Sequence, residues 1–389
     1  MPQDSIPAVF MRGGTSKGIF VRTEHLPPPG PDRDALILEL MGSPDPSQID
    51  GMGGGITSTS KLMAAKRSER PGVDIDYLFA QAAVREALVD YRANCGNLTS
   101  AIGVFAIDEG LIDEVTEPVT VVELYNENTQ VRVRAHIPVV DGRAAVQGDH
   151  AIAGVPRPGA MIVNEYLDPA GSQFDVLYPT GEPLTVLDTP VGSYEVSIVD
   201  VANTVVFLRA ADLGLGGDAT ADVTNGDAEL LARVETIRGV AAVRLGLVER
   251  WEDAEKRSNM LPMVSVVAPP TSYTTPAGRE VAADDTDVSA RAFTGQRMHH
   301  AYPMTVMTCT AAAARLPGTV VSEVARQGDG PVRVGHAKGI AEAAVRIEDR
   351  PDGPHVASVS VTRTARRLMR GEVFYRARGA AASGTAGTD

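Results

Sequence analysis

Four short segments of this chain concentrate residue types that do chemistry. Residues 12–18, RGGTSKG, hold three glycines, two hydroxyls and two cations. The GxxxxGK[ST] spacing of a P-loop is missing. The segment reads as an oxyanion-binding turn: glycine lets the backbone approach a ligand, Thr15 and Ser16 donate hydrogen bonds, and Arg12 and Lys17 supply charge. A polar hairpin turn after a first strand is the plainer alternative. Residues 50–61, DGMGGGITSTSK, place four glycines and four hydroxyl residues, Ser60 last, before Lys61. A lysine in that setting, partly desolvated, can act as a base; a flexible loop with a solvated lysine is the alternative. NCGN (94–97) puts Cys95 at the expected start of an apolar helix. Free N–H groups there would stabilise a thiolate and bind a carboxylate, with Asn94, Gly96 and Asn97 as ligand contacts. HHAYPMT (299–305) opens a second apolar helix, with His300 and Thr305 as substrate contacts. Adjacent histidines point apart on a regular element, which argues against a two-histidine metal site. The expectation is no metal and no cofactor. Lesser candidates are Pro179-Thr180-Gly181, the acidic run 284–287, Gly335-His336 and the arginines 363, 366 and 367.

The elements that must position these segments follow from length and pattern. The chain has 389 residues, 43% hydrophobic and 22% charged, enough apolar surface for globular order over two or three domains. Its formal net charge of −14 argues against nucleic acid or an anionic membrane as partner, but leaves a small anion open. No apolar run approaches the roughly 18 residues of a membrane span. The opening MPQDSIPAVFMRGG shows no secretory pattern, and two distant cysteines make no disulfide framework. A reducing, cytoplasmic setting is expected.

Short runs rich in Val, Ile, Tyr and Phe predict strands at 6–11, 118–126, 131–140, 194–201, 204–208, 262–270 and 355–363. Apolar spacing near 3.6 predicts amphipathic helices at 33–42 and 227–239. Residues 97–110 and 304–318 are apolar or small nearly all round, the pattern of helices buried on every side. Each follows a series of strands. The fold expected is α+β: two related domains, residues 1–185 and 186–380, each a β-barrel-like sheet around a central helix. Residues 381–389 carry no apolar face and are expected to be a disordered tail. Cys309 is expected to be a core residue.

MRGGTSKGIF, MGSPDPSQIDGMGG, TSTSK, DIDYLFAQ, NCGN, YPTG, MHHAYP, LPGTVV and RTARRLM, in that order, resemble the PrpF family from about residue 6 to 377. The resemblance implies a diaminopimelate epimerase-like fold with its site in the cleft between the halves. It implies an isomerase, in a family that includes 2-methylaconitate cis–trans isomerase, methylitaconate isomerase and 4-oxalomesaconate tautomerase. Lys61 matches the family's active-site lysine and Cys95 its active-site cysteine. The second catalytic cysteine of the epimerases has no match in HAYPMT. The reading is therefore allylic proton transfer by Lys61 and Cys95 on an unsaturated tricarboxylate, most simply a 2-methylaconitate-type acid, with a homodimer left open. An amino-acid epimerase and a non-catalytic carboxylate-binding protein are the alternatives.

Overall fold

The computed structural model describes residues 3–91, 94–294, 297–351 and 353–376; the expected tail lies outside the described residues. Nineteen of the described strands join one mixed sheet, and its pairing sense repeats. The first run begins with Ala365–Arg376 beside Gln3–Gly13, followed by Ser16–Arg22, Lys61–Arg67, Ile75–Ala82, Val119–Asn126, Arg132–Val140 and Ile162–Leu167. Its ladders run antiparallel, antiparallel, parallel, antiparallel, parallel, antiparallel, antiparallel. The second run begins at Thr185–Thr189 and continues through Gly192–Asp200, Thr204–Arg209, Met263–Ala268, Val288–Thr294, Val332–His336, Gly339–Arg350 and Gly353–Arg363, in the same order of senses. The two runs join where Gly353–Arg363 pairs with Ile162–Leu167.

Parallel neighbours need a crossover. The helices Pro31–Met41 and Ala228–Arg244 provide the first crossover in each run. The second crossover of each run carries the expected buried helix. The seven sequence-predicted strands all form, as Gln3–Gly13, Val119–Asn126, Arg132–Val140, Gly192–Asp200, Thr204–Arg209, Met263–Ala268 and Gly353–Arg363. The expected boundary at 185 does not cut the sheet into two contiguous runs. The last strand, Ala365–Arg376, returns to pair with Gln3–Gly13.

Residues Met304 to Ala314 of the helix Met304–Arg315 are all buried, as its apolar composition requires. The helix expected at 97–110 is instead broken into Gly96–Thr99 and Ile102–Asp108. At the break the Ser100 hydroxyl takes the Asn97 carbonyl, Oγ to O 2.6 Å, and the Ala101 N–H bonds Leu98 O at 2.9 Å instead. Among the described residues, no helix is long and apolar enough to cross a membrane.

Cys309 lies in the middle of the second buried helix, fully buried, with its thiol donating to Val199 O at 3.4 Å. Burial pushes that thiol well above the ordinary cysteine value. Cys309→Ser is expected to lower stability by about 1 kcal/mol, because it puts a more polar group in an apolar helix core while Val199 O can still accept. Thermal unfolding checks the loss. Activity is expected to stay within twofold.

Candidate active site

The RGGTSKG segment forms a tight hairpin turn, with Gly13 opposite Ser16. Gly14 sits at φ +49°, and a Cβ there would lie 2.1 Å from Asn97 Oδ1; one on Gly13 would lie 2.4 Å from Asn97 O. The glycines thus let the turn rest directly on NCGN. Asn97 Nδ2 donates to Thr15 Oγ1 at 3.1 Å, and the Cys95 thiol faces buried Ser16 Oγ at 4.0 Å. Arg12 has a different task from the one its charge suggested. Its guanidinium donates to Gly14 O at 2.9 Å and to Thr364 O and Oγ1 at 2.8 and 3.0 Å, clamping the turn to the returning strand. Lys17 is exposed, with Nζ over the Phe10 ring.

Lys61 opens the strand Lys61–Arg67 and is only 9% exposed. Its Nζ donates to Gln81 Oε1 and lies 4.9 Å from the Phe79 ring centroid. Gln81 Nε2 donates to Ser60 O at 2.9 Å and Ala82 O at 3.1 Å, which aims Oε1 at the amine. Burial lowers the Lys61 pKa, and Cys95 opposes that shift. The glycine-rich loop before Lys61 is wound around buried Gln48. Ser60 Oγ bonds Gln48 Oε1 at 2.6 Å and Ile56 O at 2.8 Å, and Gly55 N donates to the same Oε1 at 2.8 Å. The Ser60 hydroxyl is therefore occupied in holding the loop that delivers Lys61.

Cys95, 8% exposed, precedes the short helix Gly96–Thr99. Asn94 Oδ1 accepts from Thr99 Oγ1 at 3.2 Å. A Cβ on Gly96 would fall 2.4 Å from Met304 Cγ, so the starts of the two buried helices abut through this glycine. Beyond it, Thr305 Oγ1 accepts from Asn203 Nδ2 at 3.3 Å, and the same nitrogen lies 3.0 Å from Met263 Sδ. By the repeated ladder, Met263 opens the strand matching the one that Lys61 opens, and Met304 opens the matching helix. The first half thus opens this strand with Lys61 and caps its helix with Cys95, where the second half has Met263 and Pro303.

His300, expected as a substrate contact, is exposed and faces Asp222, Nδ1 to Oδ1 3.8 Å. Its neighbour His299 turns inward. Burial lowers the His299 pKa, and Lys61 and Lys338 are among the cations that add to this. His336, 4% exposed, stacks on Tyr302 with centroids 6.2 Å apart. Its Nδ1 accepts from Lys338 N at 3.2 Å. Burial, then Arg291, Arg363, His299 and Lys338, hold its pKa down to about 3. Arg363, 8% exposed, donates from Nε to Asn97 Oδ1 at 3.3 Å and from Nη1 to Thr362 O at 2.7 Å. Among the described residues neither Lys61 nor Arg363 has a carboxylate partner.

The other arginines serve the fold or lie outside. Arg367 pairs with Asp108 and Glu109 at 3.0 and 2.7 Å, and Arg366 is exposed. The acidic run 284–287 is tied to Arg326 and Arg333, and Gly181 at φ +89° closes a turn on Tyr178 O. Sequence reasoning singled out neither Gln81 nor Asn203, and it left the role of His299 open. Gln81 left a trace there, as the last residue of DIDYLFAQ.

A buried amine within electrostatic reach of a thiol can move protons on an anion, and such transfer between carbons is isomerase chemistry. The relatives are of that class. The chain belongs to the PrpF family: the family described as PrpF protein matches residues 3–376. It is 41% identical over 375 residues to 3-methylitaconate isomerase of Eubacterium barkeri, covering 96% of this chain and 97% of that one. It is 39% identical to 2-methyl-aconitate isomerase of Shewanella oneidensis, at 96% and 97% coverage. The crystal structure of methylitaconate-delta-isomerase superposes with a TM-score of 0.84 at 40% identity, covering 99% of this chain and all of that one. The chain is an isomerase.

Proposed function

We propose that this isomerase shifts a proton across an allylic system of an unsaturated tricarboxylate, with Lys61 and Cys95 as the transfer pair. The observation that carries the reading is the buried Lys61 amine, without a carboxylate partner and within electrostatic reach of Cys95. One of the pair removes a proton from carbon next to the double bond. The electron pair delocalises over the double bond and the adjoining carboxylate. A proton is delivered at the far allylic carbon, so composition is unchanged and only double-bond position or geometry differs. The developing charge is stabilised by the fixed cations of the cleft. Burial favours the neutral amine that a base must be, whereas bound substrate carboxylates push the other way.

The halves related by the repeated ladder are read as two barrel-like domains, each around its buried helix, with Ala365–Arg376 returning to the first. 2-Methylaconitate-type acids are the leading substrates, with methylitaconate and 4-oxalomesaconate as alternatives. The two free thiols suit a reducing cytoplasm. A two-thiol epimerase is disfavoured, since Cys309 lies in the helix core and the second helix starts Pro303-Met304-Thr305.

Proton NMR in D2O tests the proposal. Incubation with 2-methylaconitate, trans-aconitate or methylitaconate is expected to give deuterium at an allylic carbon together with a shifted double bond. Absence of exchange with all three and with 4-oxalomesaconate would sink the reading. With Lys61 as base, kcat/KM is expected to rise with pH and level off below the ordinary lysine value, because the folded-state pKa is lowered. A flat profile from pH 6 to 10 would take the base role from Lys61.

A further inference from the structure

Two further donors converge on this site from the strand ends of the second run. Arg363 ends Gly353–Arg363 and His336 ends Val332–His336, and both strands pair with Gly339–Arg350. Register places their side chains on one face. Val361 lies opposite Ala343, His336 lies opposite Gly339, and positions two apart on a strand share a face. That face carries buried Val334, Ala343 and Val361, and the helix Met304–Arg315 packs against these strands.

Each donor has an atom left over. Arg363 uses Nε and Nη1 on Asn97 and Thr362; Nη2 has no partner among the described residues, yet is not sealed from open space. His336 accepts at Nδ1, so the neutral ring carries its proton on Nε2, which likewise is unpartnered and unsealed. Arg291 is a contrast within the same fold. All three of its guanidinium nitrogens donate, to Ala219 O, Ala290 O, Gly335 O and Gly217 O at 2.6 to 3.0 Å, the pattern of a structural arginine. A buried guanidinium without a counter-ion is costly unless an anion joins it when the protein works. Resting on the isomerase reading above, we propose that Arg363 Nη2 and His336 Nε2–H together bind one carboxylate of the substrate. His336 stays neutral through the working pH range, so it contributes as a dipole and Arg363 as the charge. The pair is a binding and specificity device, while Lys61 and Cys95 carry the protons.

The experiment is calorimetric titration of the full chain with tricarballylate, a tricarboxylate with no double bond to isomerise, alongside kcat and KM on the substrate. Arg363→Gln is expected to weaken tricarballylate about 100-fold, as losing a charge-assisted bond implies. His336→Phe, which keeps the stack on Tyr302, is expected to weaken it about 5-fold to 10-fold. In both, KM rises more than kcat falls. Arg363→Lys, which keeps the charge, is expected to recover about a tenfold part of the loss, and it serves in place of Arg363→Gln if near-UV circular dichroism shows that variant unfolded. Folded variants that bind tricarballylate within twofold of wild type would overturn the subsite. If wild type binds tricarballylate through Arg363 but exchanges no deuterium with any acid, the allylic proton-transfer reading fails and the subsite stands. If wild type exchanges deuterium and the variants keep their affinity, the reverse holds.

Discussion

Lys61→Met is expected to lower kcat by at least about 1,000-fold, within the range that general acid–base groups supply. The fold is expected to survive, for a structural reason. Lys61 is nine-tenths buried, and burial disfavours its ammonium form. Methionine fills the same volume, keeps a flexible stem beside Phe79 and removes the charge. Gln81 keeps its bonds to Ser60 O and Ala82 O, so the neighbouring strand stays in place. Thermal unfolding should therefore sit at or above the wild-type midpoint while exchange in D2O vanishes. Retention of more than a tenth of kcat would remove Lys61 from proton transfer. Loss of the fold would instead show that the Lys61–Gln81 bond is structural.

Cys95→Ala is expected to reduce kcat by about 100-fold to 10,000-fold with little change in melting temperature. The side chain is small, and the turn that carries it is held by Asn94, Asn97 and Thr99 rather than by the thiol. Alkylation gives a second readout on the wild-type protein. Iodoacetamide is expected to modify Cys95, whose thiol faces Ser16 and keeps some exposed surface, and an aconitate-like ligand is expected to protect it. Cys309, with no exposed surface, is expected to react only after unfolding. Activity of Cys95→Ala within threefold of wild type would leave Lys61 as sole proton carrier. Labelling of Cys95 that saturating ligand does not slow would place the thiol outside the substrate site.

Both residues of the proposed transfer pair stand out in the sequence because their neighbours are unusual: four glycines before Lys61 and Asn-Cys-Gly-Asn around Cys95. Arg12 and Ser60 stood out equally, and the folded chain uses both as clamps: a guanidinium on Thr364 and a hydroxyl on Gln48. Residue type announces hydrogen-bonding capacity, but the partner is a matter of tertiary contact. The segment 97–110 looked like one helix because apolar character measures burial, whereas at the break the Ser100 hydroxyl occupies the Asn97 carbonyl.

The sequence by itself determined the seven strands that alternate or run apolar, the fully buried second helix, the inert Cys309 and the segments that hold Lys61 and Cys95. These follow from local composition, since period, propensity and glycine content act over a few residues. Only the tertiary structure decided the rest. The return of Ala365–Arg376 to Gln3–Gly13 joins residues more than 350 positions apart, and no local pattern encodes such a pairing. The choice of His299 over His300 turns on a single residue of placement, because a one-residue shift sends a side chain to the opposite face. Arg363 and His336 likewise share one face only through tertiary pairing: two strands are brought together by the register of the strand between them.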